Sequence, residues 1–250
     1  MFLEQTINLG EKKLMKMIFK KNNKLKLEYE SEHLWVPPII PTKNVLPDWY
    51  KKIVPLNTSN LKSLPQTLNV KSCVPFMDTF LSGYVMTTPM DIAVKINDEG
   101  NPVITWSFSE FNFIGVRGLD AAPGLPIPQG YNITHFTWST MSAIKIPKGY
   151  SCLVTHPLNR YDLPFLTLSG IVDADDIFHH GNIPFFIKEG FEGLIKAGTP
   201  MFQIIPFKRE EWESVKKPGL FKIASSQSMR SALNTVGWYK KNNWKRKIYN

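Results

Sequence analysis

The stretch SGIVDADDIFHHGNIPFF, residues 169–186, concentrates side chains able to do chemistry. Asp173, Asp175, Asp176, His179 and His180 fall between positions 173 and 180, with apolar residues on both sides. Carboxylates and imidazoles this close could position a water for hydrolysis or hold a cation. Asp173 and Asp175, two apart on a strand, face the same side. With His179 folded back from the turn they would make a set of two carboxylates and one imidazole, suited to a transition metal. His179 and His180 point to opposite faces if extended, so at most one contributes. The plainer alternative is a polar hairpin tip, DDIFHHGN, because Asp, Asn and Gly are ordinary turn formers.

Two other constellations compete for attention. Cys152 precedes His156 by four residues, about 13 Å along a strand, which is too far for a thiolate pair and favours a core cysteine. The C-terminal WYKKNNWKRKIY interleaves aromatic residues with Lys240, Lys241, Lys245, Arg246 and Lys247. That composition suits a single-strand or phosphate binder. It equally suits a solvated terminal helix whose aromatic residues dock on protein. No phosphate-binding loop, dinucleotide glycine set or zinc-type Cys/His spacing occurs.

The elements that must carry these residues are short strands. TLNVKSC, GYVMTTPMDIAVKI, PVITWSF, SAIKIP, YSCLVTHP, FLTLSGIVD, IPFFIK and MFQIIPF are separated by Gly, Pro and Asn, at the spacing of a sandwich or barrel. NDEGNP (97–102) is a hairpin turn by composition, and AAPGLPIPQG (121–130) a rigid loop. KLKLEYE (24–30) alternates like a strand. Proline spacing across 35–56 excludes most regular structure, apart from a short helix begun by LPDWYKKI with Asp48 in its first turn. We read 31–67 as an arm anchored by Trp35, Trp49 and Tyr50. Leu233, Val236, Tyr239 and Trp244 recur at rough helical spacing, weakened by Gly237.

The 250 residues are 43% hydrophobic, enough to bury a sizeable core. No apolar run is long enough to span a bilayer as a helix, and the first residues do not resemble a secretory signal. Cys73 and Cys152 are too few for a disulfide framework and are expected to be buried free thiols. The net charge of +9 is uneven: residues 1–30 carry +3, residues 213–250 carry +8 and the remainder −2. Attraction to nucleic acid should therefore run through the ends. Gly10-Glu11, placed ahead of Met15 and Met17, could be encoded by a ribosome-binding sequence, making 1–14 a non-native leader.

SAIKIPKGYSCLV (142–154), LSGIVDADD (168–176) and GFEGLIKAGTPMFQIIPF (190–207) occur in an order that resembles the deoxyuridine triphosphatase and deoxycytidine triphosphate deaminase superfamily. LSGYVMTTPMDIAV (81–94) stands where that family's first conserved strand would be. The resemblance implies a β-clip, a distorted barrel of short strands, usually trimeric. It also implies that Asp173 orients the attacking water and that Gln203, Asn159 and Arg160 belong to the ligand site. Departures are evident: Asp176 replaces the Tyr that packs on deoxyribose, HPLNR (156–160) has no Ser and a shifted Arg160, and the Gly-rich C-terminal arm is missing. A second resemblance is to a family of tailed-bacteriophage proteins sharing PDWY, a Cys-x-Pro-Phe block, IPKGYS, HPLNR, GIVDAD and GTPMFQIIPFKREEW. It spans most of 45–212 and brings no activity with it.

These readings give a mainly β chain: a basic segment 1–30, an arm 31–67, a dUTPase-like β-clip 68–212 and a basic extension 213–250. The expected function is a phage-encoded, non-catalytic binding or assembly protein without a cofactor. It would act as a homo-oligomer in host cytoplasm or virion, with other phage proteins as further partners and neither secretion nor membrane insertion. The competing expectation is a nucleotide hydrolase or metal-dependent enzyme centred on Asp173, with Mg²⁺ or a transition metal at Asp173, Asp175 and His179. A third is a binder that sequesters a nucleotide or a host protein. Trimmed of catalysis, Asp173 would be buried beside a tight turn, accepting backbone N–H bonds.

Overall fold

The computed structural model describes residues 24–31, 33–54, 69–107, 112–117, 123–178, 181–233 and 238–250. The proposed leader lies outside the described residues. Strand formation follows the apolar runs. β1 (Glu28–Ser31), β2 (Ile40–Pro41), β3 (Tyr84–Thr87), β4 (Ile92–Ile96), β5 (Pro102–Trp106), β6 (Ile114–Arg117) and β7 (Tyr131–Ser139) form the first half. β8 (Ser142–Lys145), β9 (Tyr150–Thr155), β10 (Phe165–Thr167), β11 (Gly170–Val172), β12 (Asn182–Lys188), β13 (Gly193–Ile195) and β14 (Pro200–Lys208) follow. All pairings between these strands are antiparallel, in four sheets ordered β1-β8, β10-β12-β7-β6, β11-β9-β14-β3-β2 and β13-β4-β5. The fold is mainly β, as expected. The sheets surround one core without closing into a continuous cylinder.

β14 lies between β9 and β3, and Met201, Phe202, Gln203 and Ile204 are buried in succession. Burial on both faces is why this strand reads as an unbroken apolar run rather than an alternating one. The core centres on Trp138 of β7, which stacks on Phe185 at 3.7 Å between centroids and meets Phe165 edge-on at 5.2 Å. Its indole N–H donates to Thr167 Oγ1 at 3.2 Å, so the buried polar handle is satisfied. Gly83 (φ 71°) permits a close approach: a Cβ there would stand 2.2 Å from the Ile204 carbonyl oxygen.

Three sequence expectations fail here. The described part of TLNVKSC, from Asn69 on, is not a strand; Val70–Ser72 forms a 3₁₀ turn leading into α2, Val74–Leu81, with Pro75 in its first turn. Proline is tolerated there because its missing N–H would have no helical acceptor. The strand preference of Val70 and Val74 loses to an aromatic stack. Phe76 and Phe80 meet at 5.4 Å, and Tyr50 packs on Phe80 at 4.6 Å. Tyr50 belongs to α1, Asp48–Lys52, the short helix expected in the arm, with Asp48 in its first turn. The second failure is β7, a nine-residue strand not expected from sequence, whose buried His135 and Thr137 interrupt its apolar pattern. Cys152 is buried as expected, and burial pushes its thiol up to about 11; Cys73 is exposed at the entrance to α2, against expectation.

Residues 209–219 run exposed to α3, Leu220–Leu233, and after residues outside the described set the chain resumes in α4, Trp238–Asn242. No helix of the described residues is long and apolar enough to cross a membrane.

Candidate functional site

β9 organises every candidate side chain. At its start, Gly149 takes a left-handed φ of 83° in the turn from β8, and Asp175 Oδ2 accepts the Gly149 N–H at 3.0 Å. Arg209, just beyond β14, donates its own backbone N–H to the Gly149 carbonyl at 2.9 Å. Its guanidinium reaches the Tyr150 carbonyl (3.0 Å), Asp173 Oδ1 (3.1 Å) and both oxygens of Asp175. Ser151 Oγ donates to Asp173 Oδ1 at 2.5 Å. Arg209 thus ties three chain segments together. Its hydrogen bond, with the Gly149 N–H, holds the Asp175 carboxyl below the usual carboxylate range.

The turn-fixing role expected of Asp173 therefore belongs to Asp175. The Asp173 side chain is 68% exposed and that of Asp175 11%. The reason is register: Val172 pairs with Cys152, so Asp173 emerges at the sheet edge while Asp175 folds back under the β8–β9 turn. What the two aspartates share is a guanidinium. Among the described residues no group of three His, Cys, Asp or Glu side chains could hold a metal ion, and His179 lies outside them. Asp173 and Asp175 already serve Arg209, so the described part of the Asp173, Asp175, His179 set does not fit a cation.

At the far end of β9 lies the second group. Gln203 pairs with Thr155, four residues from Ser151, so it sits roughly 13 Å along the strand from Asp173. Fully buried, it is fully engaged: Oε1 accepts from Leu158 N (2.9 Å), and Nε2 donates to the carbonyls of Thr79 (3.0 Å) and Ser82 (2.6 Å). Asn159, at φ 59°, donates to Thr79 Oγ1 at 2.8 Å. Arg160 forks onto Asp162 through Nε (2.9 Å) and Nη2 (2.9 Å), and donates to the Val45 carbonyl at 3.3 Å. Burial pushes the Asp162 carboxyl up, but Arg160 and the Trp49 indole N–H outweigh it and hold it below the ordinary value. The structure brings Gln203, Asn159 and Arg160 together and leaves Asp173 at the opposite end.

His156 follows the last residue of β9, at the Gln203 end, and buttresses the second group through the Arg160 backbone. Its Nδ1 accepts from Thr167 N (3.3 Å), leaving Nε2 to donate to the Arg160 carbonyl (3.0 Å). Burial is the chief cause that lowers its pKa below 6.5, so the folded protein keeps it neutral. The unfolded chain takes up this proton as pH falls below the ordinary value and the native state does not. Stability is therefore lost from about pH 6.5 down to the lower native value. Urea midpoints should fall between about pH 7 and about pH 5.5, and the fall should be smaller in His156→Gln. Equal slopes in the two proteins would show that His156 is not the group responsible.

Arg209 was not singled out from sequence. In FKREEW it is one of many cations, and the only signal was its place two residues beyond the apolar run MFQIIPF, in a strand whose partner turn carries Gly149.

No protein-family model matches the chain, and no curated protein matches it. Among solved structures the chain is similar to phage dUTPases. The dUTPase from phage phi11 of S. aureus shares 12% identity over 78% of this chain and 99% of that chain, at a TM-score of 0.33. An Asp-to-Asn mutant of the phi11 enzyme, described with a structural Mg(II) ion, shares 11% over 78% and 98%, at 0.34. The Staphylococcus bacteriophage 80alpha dUTPase with dUPNHPP shares 12% over 78% and 89%, at 0.31.

Proposed function

We propose that this chain is a phage-encoded, non-catalytic binding or assembly protein built on a dUTPase-like β-clip, and that it self-associates in host cytoplasm or virion. The observation that carries this reading is Gln203. The side chain that would face a ligand in a hydrolase commits both N–H donors and its amide oxygen to the Leu158, Thr79 and Ser82 backbones. Hydrolysis of a triphosphate needs a positioned water, cationic donors and a bound cation in one place. Within one chain Asp173 and Arg160 lie at opposite ends of β9, and Arg160 is committed to Asp162. Val116 (71% exposed), Ile171 (69%) and Trp212 (88%) are apolar side chains on the surface that an assembly would be able to cover.

The expected result with purified protein and Mg²⁺ is no enzyme-like turnover of dUTP or dCTP, and an oligomer by light scattering. One observation favours the enzyme reading: Asp173 is open to solvent. Robust turnover that is lost in Asp173→Asn would establish that reading instead.

A further inference from the structure

α1 and the turn at 157–162 face each other across a cleft of about 360 Å³ lined by Trp49, Phe76, Asn159, Tyr161 and Asp162. That is within the range of small-ligand sites, about 300–1,000 Å³. The cleft is built rather than incidental. Trp49 is fixed by its indole N–H, which donates to Asp162 Oδ1 at 3.2 Å, and by edge contact with Phe80 at 5.9 Å. Opposite it, Tyr161 is 72% exposed, a large ring left in water at the mouth of an aromatic recess. Asn159 brings a carboxamide, positioned by its bond to Thr79 Oγ1.

The electrostatics select the ligand. Both carboxylates are already answered, Asp48 by Lys51 at 3.0 Å and Asp162 by Arg160 at 2.9 Å. The surplus at the rim is positive. Lys52 is exposed on α1 beside Asp48. Lys71 Nζ donates to the Lys51 carbonyl at 2.9 Å and stands 5.5 Å from the Tyr50 ring centre. Lys188 Nζ donates to the Tyr161 carbonyl at 3.0 Å. An apolar side chain would use the rings but pair none of the three ammonium charges, which have only carbonyl and ring contacts or solvent around them. A base with its phosphates uses both, because every base has a π-face to stack and every linkage an anion to pair.

We propose that this cleft receives an unpaired base of a single-stranded nucleic acid, stacked on Trp49 and Tyr161, with flanking phosphates on Lys52, Lys71 and Lys188. It deepens the binding-protein reading and rests on it, at a place separate from Asp173, which lies at the other end of β9.

The test is fluorescence anisotropy of the full-length protein with a labelled oligothymidylate at low salt and in EDTA, so that hydrolysis cannot intervene. Binding is expected, with duplex of the same length a poor competitor. Tyr161→Ala should weaken it about ten-fold, the scale of one missing base stack. Because that ring is mostly in solvent, the melting temperature should hold. Lys71→Gln combined with Lys188→Gln should weaken binding and flatten its salt dependence, by roughly 0.7 in slope for each phosphate left without its lysine. Competition by deoxythymidine monophosphate distinguishes a free nucleotide from a strand; success there with Tyr161 dependence places the same chemistry in a nucleotide site. The proposal is overturned by no binding at low salt. Binding that Tyr161→Ala leaves unchanged, while neutralising Lys240, Lys241, Lys245 and Arg246 abolishes it, overturns it too. Neither result touches the non-catalytic reading, which stands or falls on the separate turnover assay.

Discussion

Gln203→Met is expected to lower the unfolding free energy by about 3 kcal/mol, and Gln203→Ala by more. The methionine variant keeps the volume of the side chain and removes its hydrogen bonds. Two backbone groups, Leu158 N–H and the Thr79 carbonyl, then lose the side-chain bond made to them in a site with no exposure, while the Ser82 carbonyl keeps only the Thr42 hydroxyl at 2.9 Å. A buried polar group left unpaired costs about 1–3 kcal/mol, and part of that is recovered by relaxation. Alanine adds the cavity. The effect should appear as a lower urea midpoint at unchanged slope, since the surface exposed on unfolding is the same. A residue kept for contact with a ligand would behave otherwise, because its loss would spare stability. A near-native midpoint for Gln203→Met would therefore return Gln203 to the ligand site.

Sequence reading located β14 and assigned Gln203 to a ligand site, whereas the structure ties that side chain to backbone, and the reason this tie was illegible is physical. GTPMFQIIPF announces a buried strand, and a polar residue inside such a run must be satisfied. What satisfies Gln203 comes from Thr79 and Ser82, more than a hundred positions away, at the end of a helix that sequence did not suggest. The same limit explains the aspartates. Strand alternation would put Asp173 and Asp175 on one side, but β11 ends at Val172 and both lie in the turn beyond it, where Arg209 reaches each. Nothing local could show that their common partner is Arg209, 34 residues beyond Asp175, rather than a cation. Glycines were useful as strand boundaries in the sequence because a left-handed φ, 83° at Gly149 and 80° at Gly198, is a penalty that only the local residue can avoid. α2 was hidden because its stability lies in Tyr50 and Phe80, a contact between segments, rather than in its own propensity.

Deleting residues 238–250 is expected to destabilise the protein by about 2 kcal/mol. The deletion removes two tryptophans and five of the chain's basic residues, so it also separates two meanings of the tail. The docking geometry favours one of them. Trp244 Nε1 stands 3.0 Å from each oxygen of Asp78, and Lys247 Nζ is 2.5 Å from Oδ2. The Tyr249 ring meets Tyr84 edge-on at 5.6 Å, and Lys43 donates to the Tyr249 carbonyl at 2.8 Å. The Asp78 side chain is 11% exposed, and that of Lys247 is 39%. The lysine is wet enough that its ion pair adds little, under about 1 kcal/mol. Most of the loss should come from the indole bond to a mostly buried carboxylate, about 1.5–3 kcal/mol for a charged acceptor. Asp78→Leu supplies the control. With the carboxylate gone there is no buried charge to abandon, so the same deletion should cost markedly less in that background. Lys240, Lys241, Lys245 and Arg246 remain exposed when the tail is docked. A melting temperature unmoved by the deletion, together with loss of salt-sensitive nucleic-acid binding, would show that the tail is held for those cations and that Asp78 is incidental to it.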